Sequence, residues 1–273
     1  KKGLVDRMIR HLPESTVRKL GIFSHGETSV SVHRDEPIFD GQFSNRCYQA
    51  AVRQAFHNFA KKAEMQGRYT PADDERLTEQ WSRIIMHLPY AYQAKRMFPD
   101  VFRHYRQDTP MWQGIEEQLG APPESPDSDD PKALLQWESD MDGYRRAISK
   151  TPEYIAFHAS RIEKGQRASS LIGNQYTGSI FLALMSTFES DLEENANLDG
   201  AMLGMCGYGS GAKAKVFEGR VSPRWREVVA GWHLFERLAG RIAIAQTTYE
   251  NPHNGVEDGS VVEPIPKLAP VDM

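Results

Sequence analysis

A histidine, an asparagine and a glycine-rich turn are the groups in this sequence whose types and placement suit chemistry. His87 closes the run Arg83-Ile84-Ile85-Met86 and is followed by Leu88-Pro89-Tyr90. An imidazole titrates near neutral pH, so it can move a proton or steady an acyl carbonyl as negative charge builds. Asn174 lies in Gly173-Asn174-Gln175-Tyr176-Thr177-Gly178-Ser179, just before an apolar run. Its carboxamide offers donors and an acceptor without charge, which suits orienting a histidine or binding a keto oxygen. Gly207-Tyr208-Gly209-Ser210-Gly211 lets backbone approach a thioester and aim N–H groups at it. Each group also has a plainer reading: a hydrogen-bonded His at a strand end, a helix N-cap, a tight hairpin turn. The cap and the binding role are compatible, because a cap leaves part of the amide free.

The elements that must position these groups follow from periodicity. Leu4, Val5, Met8 and Ile9 suggest a short helix, interrupted at Pro13-Glu14-Ser15-Thr16; residues 21–23 and 29–32 suggest short strands. Asp40-Gly41 is a turn signal, and Ser44 can cap a helix from about Asn45 to Met65, with Tyr48, Ala51, Val52, Ala55, Phe56 and Phe59 on one face. Residues 70–76 start a helix or loop. Ile84–Leu88 reads as a buried strand ended by Pro89, and Tyr92 to Tyr105 as one helix. The stretch 108–132 is rich in Pro, Asp, Ser and Glu; it reads as an insertion, with 121–131 a solvated loop. Helical pattern fills 133–168 and resumes after the Asn174 motif to about Glu189. Residues 201–206 read as a strand and 213–221 as its partner, with Ala214, Val216 and Glu218 on one side. Mixed helix follows over 223–248, and the tail from Pro252 reads as loosely packed. Strands alternating with long helices predict a layered α/β fold.

Bulk composition narrows the classes. The 273 residues allow one large domain, 40% are hydrophobic, and the net charge of −4 gives no basic field for nucleic acid or an anionic membrane. No apolar run approaches the roughly 18–20 residues of a membrane span. The two cysteines, Cys47 and Cys206, form no CxxC pair, which makes a reducing, cytoplasmic setting the default. The histidines show no metal-binding spacing, so no metal site is expected. The chain starts without Met or a secretory leader, and its first forty residues read like the middle of something. Part of a longer polypeptide, or a partner chain, is therefore expected to complete it.

Taken in order, Asp40-Gly41-x-x-Ser44 with Tyr48, then His87-x-Pro89-Tyr90, then Gly173-Asn174-x-Tyr176-Thr177-Gly178-Ser179, then Tyr208-Gly209-Ser210-Gly211, resemble the C-terminal half of hydroxymethylglutaryl-CoA synthases. The resemblance covers residues 38–250, leaving 1–37 as a remnant or linker and 251–273 as a tail. It implies a thiolase-like α/β/α architecture, the C-terminal half of a pseudo-symmetric fold, with Arg241–Tyr249 in the closing helix. The activity implied is condensation of acetyl-CoA with acetoacetyl-CoA, or with a carrier-protein-bound acetoacetyl group, without a further cofactor. His87 then matches the family histidine, Asn174 the asparagine that positions the acetoacetyl group, and Ser210 the residue whose N–H serves an oxyanion hole. Pro89, Tyr176 and Gly209 join them at the substrate, although Tyr176 and Tyr90 read equally as packing residues with polar tips. The family usually has a Lys five residues after the histidine; here Tyr92 stands there, and Lys95 and Arg96, which with Arg103 form either a CoA-phosphate site or a solvated basic face, are the nearest substitutes. Neither cysteine matches the family nucleophile, and no residue matches its catalytic Glu; both are expected in an N-terminal half or partner chain. The resemblance also implies a homodimer. Two other readings stay open, a non-catalytic subunit that keeps the fold and an enzyme of the ketoacyl synthase III type.

Overall fold

Tyr48, Val52, Phe56 and Ala63 share one stripe of a long amphipathic helix, and burying that stripe requires a partner layer. In the computed structural model, which describes residues 41–68, 77–127, 130–209 and 211–255, helix α1 (Gly41–Met65) lays this stripe on a three-stranded sheet. The strands are β1 (Arg83–Met86), β2 (Met202–Gly209) and β3 (Lys213–Arg220), in the order β1-β2-β3. β1 and β2 are parallel, pairing Arg83 with Leu203 through Met86 with Cys206; β2 and β3 are antiparallel, pairing Met202 with Arg220 through Gly209 with Lys213. A parallel pair needs a long crossover. The intervening helices supply it, and the last of them, α8 (Ser179–Glu193), packs back on β1 and β2.

The two faces of β2 separate the layers, because side chains alternate along a strand. Cys206 and Tyr208 point toward α1, and Gly204 meets Trp81, whereas Gly207 meets Ile180 of α8 and Leu203 joins a second cluster beneath the same helix. Gly204 is obligatory: a Cβ there would stand 2.0 Å from the Trp81 ring. Trp81 is itself fixed, donating Nε1–H to Glu218 Oε1 at 2.8 Å, while Arg68 holds the other carboxylate oxygen at 2.6 Å. The second cluster contains Leu198, Leu203, Val221, Trp225 and Val229, the last two from α9 (Trp225–Ala230). A buried ion network ties the far end of α8 to the start of β1. Fully buried Asp191 accepts from Arg83 at 2.9 and 2.6 Å and from Lys164 at 2.5 Å.

Several elements differ from expectation for local reasons. α1 begins at Gly41, so Ser44 lies within the helix rather than capping it. The expected helix from Tyr92 to Tyr105 is two helices, α2 (Gln93–Met97) and α3 (Pro99–His104), because Pro99 cannot donate to the preceding turn. Within 108–132, α4 (Pro110–Leu119) is a core element: the Thr109 hydroxyl accepts from Trp112 N at 3.2 Å, and Trp112 and Ile115 are buried. Only residues 108–109, 120–127 and Asp130 lie outside helices among those described there. The helical stretch 133–168 is divided into α5 (Pro131–Ile148), α6 (Pro152–Arg161) and a 3-10 turn leading into α7 (Gln166–Ile172); the Thr151 cap and Pro152 start α6. β3 shows the anticipated facing, with Val216 buried and Ala214 and Glu218 half-buried. The expected elements in residues 1–40, 70–76 and 256–273 lie outside the described residues.

Residues from Phe235 onward form a second, small unit. It contains most of α10 (Leu234–Ala239), then the irregular stretch 241–245, then α11 (Gln246–His253). The closing helix thus starts at Gln246, not Arg241. Among the described residues no helix is long and apolar enough to cross a membrane.

Candidate active site

Ile84, Ile85 and Met86 are buried, and they carry His87 to the carboxyl end of β1. The ladder runs one residue further: His87 N–H donates to the Cys206 carbonyl at 2.9 Å. Pro89 has no N–H to continue it. The imidazole is 8% exposed as a residue and sits beside Tyr208, ring centres 6.2 Å apart. Burial lowers its pKa below the usual 6.5, so the ring is neutral at pH 7, with one nitrogen able to accept and one to donate. Tyr90 follows in the turn, and its hydroxyl accepts from Arg96 at 3.0 Å.

Asn174 sits in a different local frame. Its Oδ1 accepts from Tyr176 N–H at 2.7 Å and from the Ser179 hydroxyl at 3.3 Å, and Ser179 Oγ accepts from Gln175 N–H at 3.1 Å. The carboxamide oxygen therefore closes an Asx-type turn ahead of the 3-10 turn (Tyr176–Gly178) that feeds α8, and the expected helix N-cap is not formed; Nδ2 makes no hydrogen bond among the described residues. Gly173 at φ 89° and Tyr176 at φ 47° shape this turn. Left-handed backbone at a tyrosine costs roughly 1–2 kcal/mol. Every residue from 170 to 178 is exposed, and Tyr176 at 76% does not pack, contrary to one reading of its sequence. Lys95 and Arg96 are on α2 and Arg103 is on α3, so the three do not share a helix; Tyr92, in the place of the expected lysine, is 64% exposed.

The Asn174 turn and His87 reach the same end of the sheet. Ser179 is fully buried, and the next side chain, Ile180, lies 3.9 Å from where a Gly207 Cβ would be. Gly207 follows Cys206, whose carbonyl takes the His87 N–H. The start of α8 and the carboxyl ends of β1 and β2 thus meet, the position where open α/β sheets bind ligands. Among the described residues no hydrogen bond joins His87 to Asn174. Gly207 and Gly209 are ladder residues opposite Lys215 and Lys213, so the hairpin turn is shorter than the glycine pattern suggested. Ser210 lies outside the described residues, and Gly209 is exposed.

Both cysteines favour the protonated thiol over the thiolate at neutral pH. Burial pushes Cys206 up to about 12, and burial also raises half-buried Cys47 on α1. Tyr48 and Tyr208 are the residues near His87 whose part sequence reasoning missed. A tyrosine on the buried stripe of a helix needs a partner for its hydroxyl, and that was the available signal.

The chain is thus a helix–sheet–helix stack with an imidazole at the end of its parallel strands and an asparagine turn leading into α8. The family model described as hydroxymethylglutaryl-coenzyme A synthase C terminal matches residues 31–261, and the chain belongs to that family. It is 28% identical over 218 residues to the hydroxymethylglutaryl-CoA synthase of Haloferax volcanii, covering 80% of this chain and 46% of that protein. Among solved structures, MvaS in complex with 3-hydroxy-3-methylglutaryl coenzyme A is 26% identical with a TM-score of 0.60, over 86% of this chain and 49% of that one. The HMG synthase of the curacin biosynthetic pathway, solved with an acetyl donor-ACP, shares the fold at 19% identity and a TM-score of 0.50, over 80% of this chain and 41% of that one. The chain spans about half the length of these relatives.

Proposed function

We propose that this chain is the acceptor-binding half of an acyl-thioester condensing enzyme of the hydroxymethylglutaryl-CoA synthase type. The reaction is condensation of acetyl-CoA with acetoacetyl-CoA, or a carrier-bound acetoacetyl group, to the 3-hydroxy-3-methylglutaryl thioester. The observation that carries this reading is the meeting of His87, neutral and nearly buried, with the start of α8 at the end of the parallel strands. A cysteine on the complementary half takes the acetyl group and releases CoA. An acidic residue there removes a methyl proton, and the resulting carbanion adds to the acetoacetyl C3. Charge then collects on the C3 oxygen, where neutral His87 and the unused Nδ2 of Asn174 donate hydrogen bonds, and the acidic residue returns to it the proton taken from the methyl group. Water hydrolyses the enzyme thioester and frees the product. Pro89, Gly209 and Tyr176 line the acceptor, the Ser210 N–H serves the oxyanion, and Lys95 or Arg96 meets the CoA phosphates. The exposed run 170–178, with Phe181 beyond it, is the surface the complementary half covers. The assembled enzyme is a homodimer.

The test is CoA release from acetyl-CoA plus acetoacetyl-CoA by the complete two-half enzyme. Turnover with either a CoA-borne or a carrier-borne acceptor supports the reading and identifies the acceptor. No release with either acceptor from a folded preparation overturns it in favour of a non-catalytic subunit.

A further inference from the structure

Tyr48 makes the contact that ends β1. Pro89 stops the ladder, which leaves the carbonyl of His87 without a strand partner in a buried setting. The Tyr48 hydroxyl, on α1, donates to that carbonyl at 2.8 Å across 39 residues of sequence. Tyr48 is 1% exposed, and burial raises its phenol well above 10, so it is a donor at neutral pH. The same ring packs against Tyr208 with centres 4.4 Å apart, and Tyr208 stands next to the imidazole. The backbone of His87 is thus held on both sides, by Cys206 through N–H and by Tyr48 through C=O, while the Tyr208 ring, backed by the Tyr48 ring, stands beside its side chain. The titratable groups around this cluster are Cys47 on α1, Cys206 on β2 and Tyr90 in the following turn; among the described residues no charged group shifts the histidine's pKa, and burial alone lowers it.

We propose that Tyr48 is a positioning residue for His87, fixing where the imidazole sits and keeping water from it, through the carbonyl hydrogen bond and the ring contact with Tyr208. This deepens the functional reading above, which makes His87 the working imidazole, but it is tested without turnover. It concerns a residue that by its helical spacing is only a core position.

The experiment is a ¹H–¹³C titration of histidine-labelled chain, with the His87 signal assigned by its loss in His87→Gln. In Tyr48→Phe, which keeps the ring and removes the donor, the His87 pKa rises toward 6.5 as the strand end loosens and water reaches the ring. Tyr144→Phe is the control. It removes another tyrosine-to-carbonyl bond, to Gly120 at 3.0 Å after α4, with no bond to His87 or Tyr208, and it leaves the His87 titration where it was. Tyr208→Leu opens the same screen from the other side and also raises the pKa, which keeps the proposal testable if the Tyr48 variant does not fold. In the complete enzyme, Tyr48→Phe lowers kcat for condensation by about tenfold, the scale of one hydrogen bond, with little change in KM. A His87 titration identical in wild type and both pocket variants, or displaced equally in Tyr144→Phe, overturns the proposal. If the titration shifts as described while His87→Ala condenses normally, the positioning stands and the functional reading falls.

Discussion

Gly204→Ala is the sharpest structural test, because the space it needs is already occupied. Gly204 lies on the central strand, paired with Ile84 on one side and Glu218 on the other. Its added methyl would stand 2.0, 2.3 and 2.5 Å from three Trp81 ring carbons, where ordinary contact is about 3.5–4 Å. One of the two must therefore move by roughly 1.5 Å. The strand cannot move without breaking ladder bonds on both sides. The ring cannot move freely either: it is fully buried, bonded to Glu218 and packed against Phe56 and Phe59 at 6.0 and 5.8 Å. Overpacking typically costs about 1–3 kcal/mol, and this site has no soft neighbour, so at least 3 kcal/mol is expected. Urea unfolding followed by far-UV circular dichroism measures it. A second variant locates the cause: in a Trp81→Leu background the added cost of Gly204→Ala should fall by about 1–3 kcal/mol, the range of coupled neighbours. A cost below 1 kcal/mol for Gly204→Ala, or no coupling to Trp81, refutes the packing argument and with it the placement of β2 that brings Cys206 to His87.

Other expectations follow from charge and burial. Asp191→Ala leaves Arg83 without its carboxylate and Lys164 with only the exposed Glu194, and should cost about 3–5 kcal/mol in chemical denaturation. His158, buried and bonded to Gln166, titrates at about 4 in the folded chain against 6.5 unfolded, lowered by burial and by Lys95. Its folded pKa is depressed, so the unfolded chain binds the extra proton first; the contribution is present above pH 6.5 and is lost as pH falls toward 4. The loss is on the order of 2–3 kcal/mol and should be smaller in His158→Gln, as read from urea midpoints between pH 7.5 and 4.5. In native protein at pH 8, a thiol reagent should modify Cys47 slowly and leave Cys206 untouched until denaturant is added; rapid labelling of Cys206 would show that β2 is open.

The parts of the fold that sequence made visible are those where burial and periodicity agree. Ile84 to Met86 are continuously apolar because β1 is covered on both faces, and residues 201–206 read as a strand for a similar reason. The break at Pro99 is invisible to the side-chain pattern: Ala94, Met97, Phe98, Val101 and Phe102 keep helical spacing across it and enter one core. α4 was hidden by its setting, since Trp112 and Ile115 are the only buried anchors in a stretch otherwise rich in breakers and acids. His87 and Asn174 stand out in the sequence by residue type and order, but how each is held does not. The Tyr48 bond spans 39 residues, and no local pattern encodes it. Tyr176 was misleading for the opposite reason: an aromatic in a helix-start motif suggests packing, yet its left-handed turn projects it outward, where another part of the enzyme is proposed to lie.

The central claim is that this half serves the acceptor and not the nucleophile. It is tested most directly by following the two chemical stages separately in the complete enzyme carrying His87→Ala. Labelled acetyl-CoA reports acetylation of the nucleophile, and subsequent addition of acetoacetyl-CoA reports condensation. The account predicts acetylation within about twofold of wild type and condensation reduced by about 10²–10³, the range for a lost hydrogen-bond donor to a developing oxyanion. Equal loss of both stages, or condensation at the wild-type rate, contradicts it.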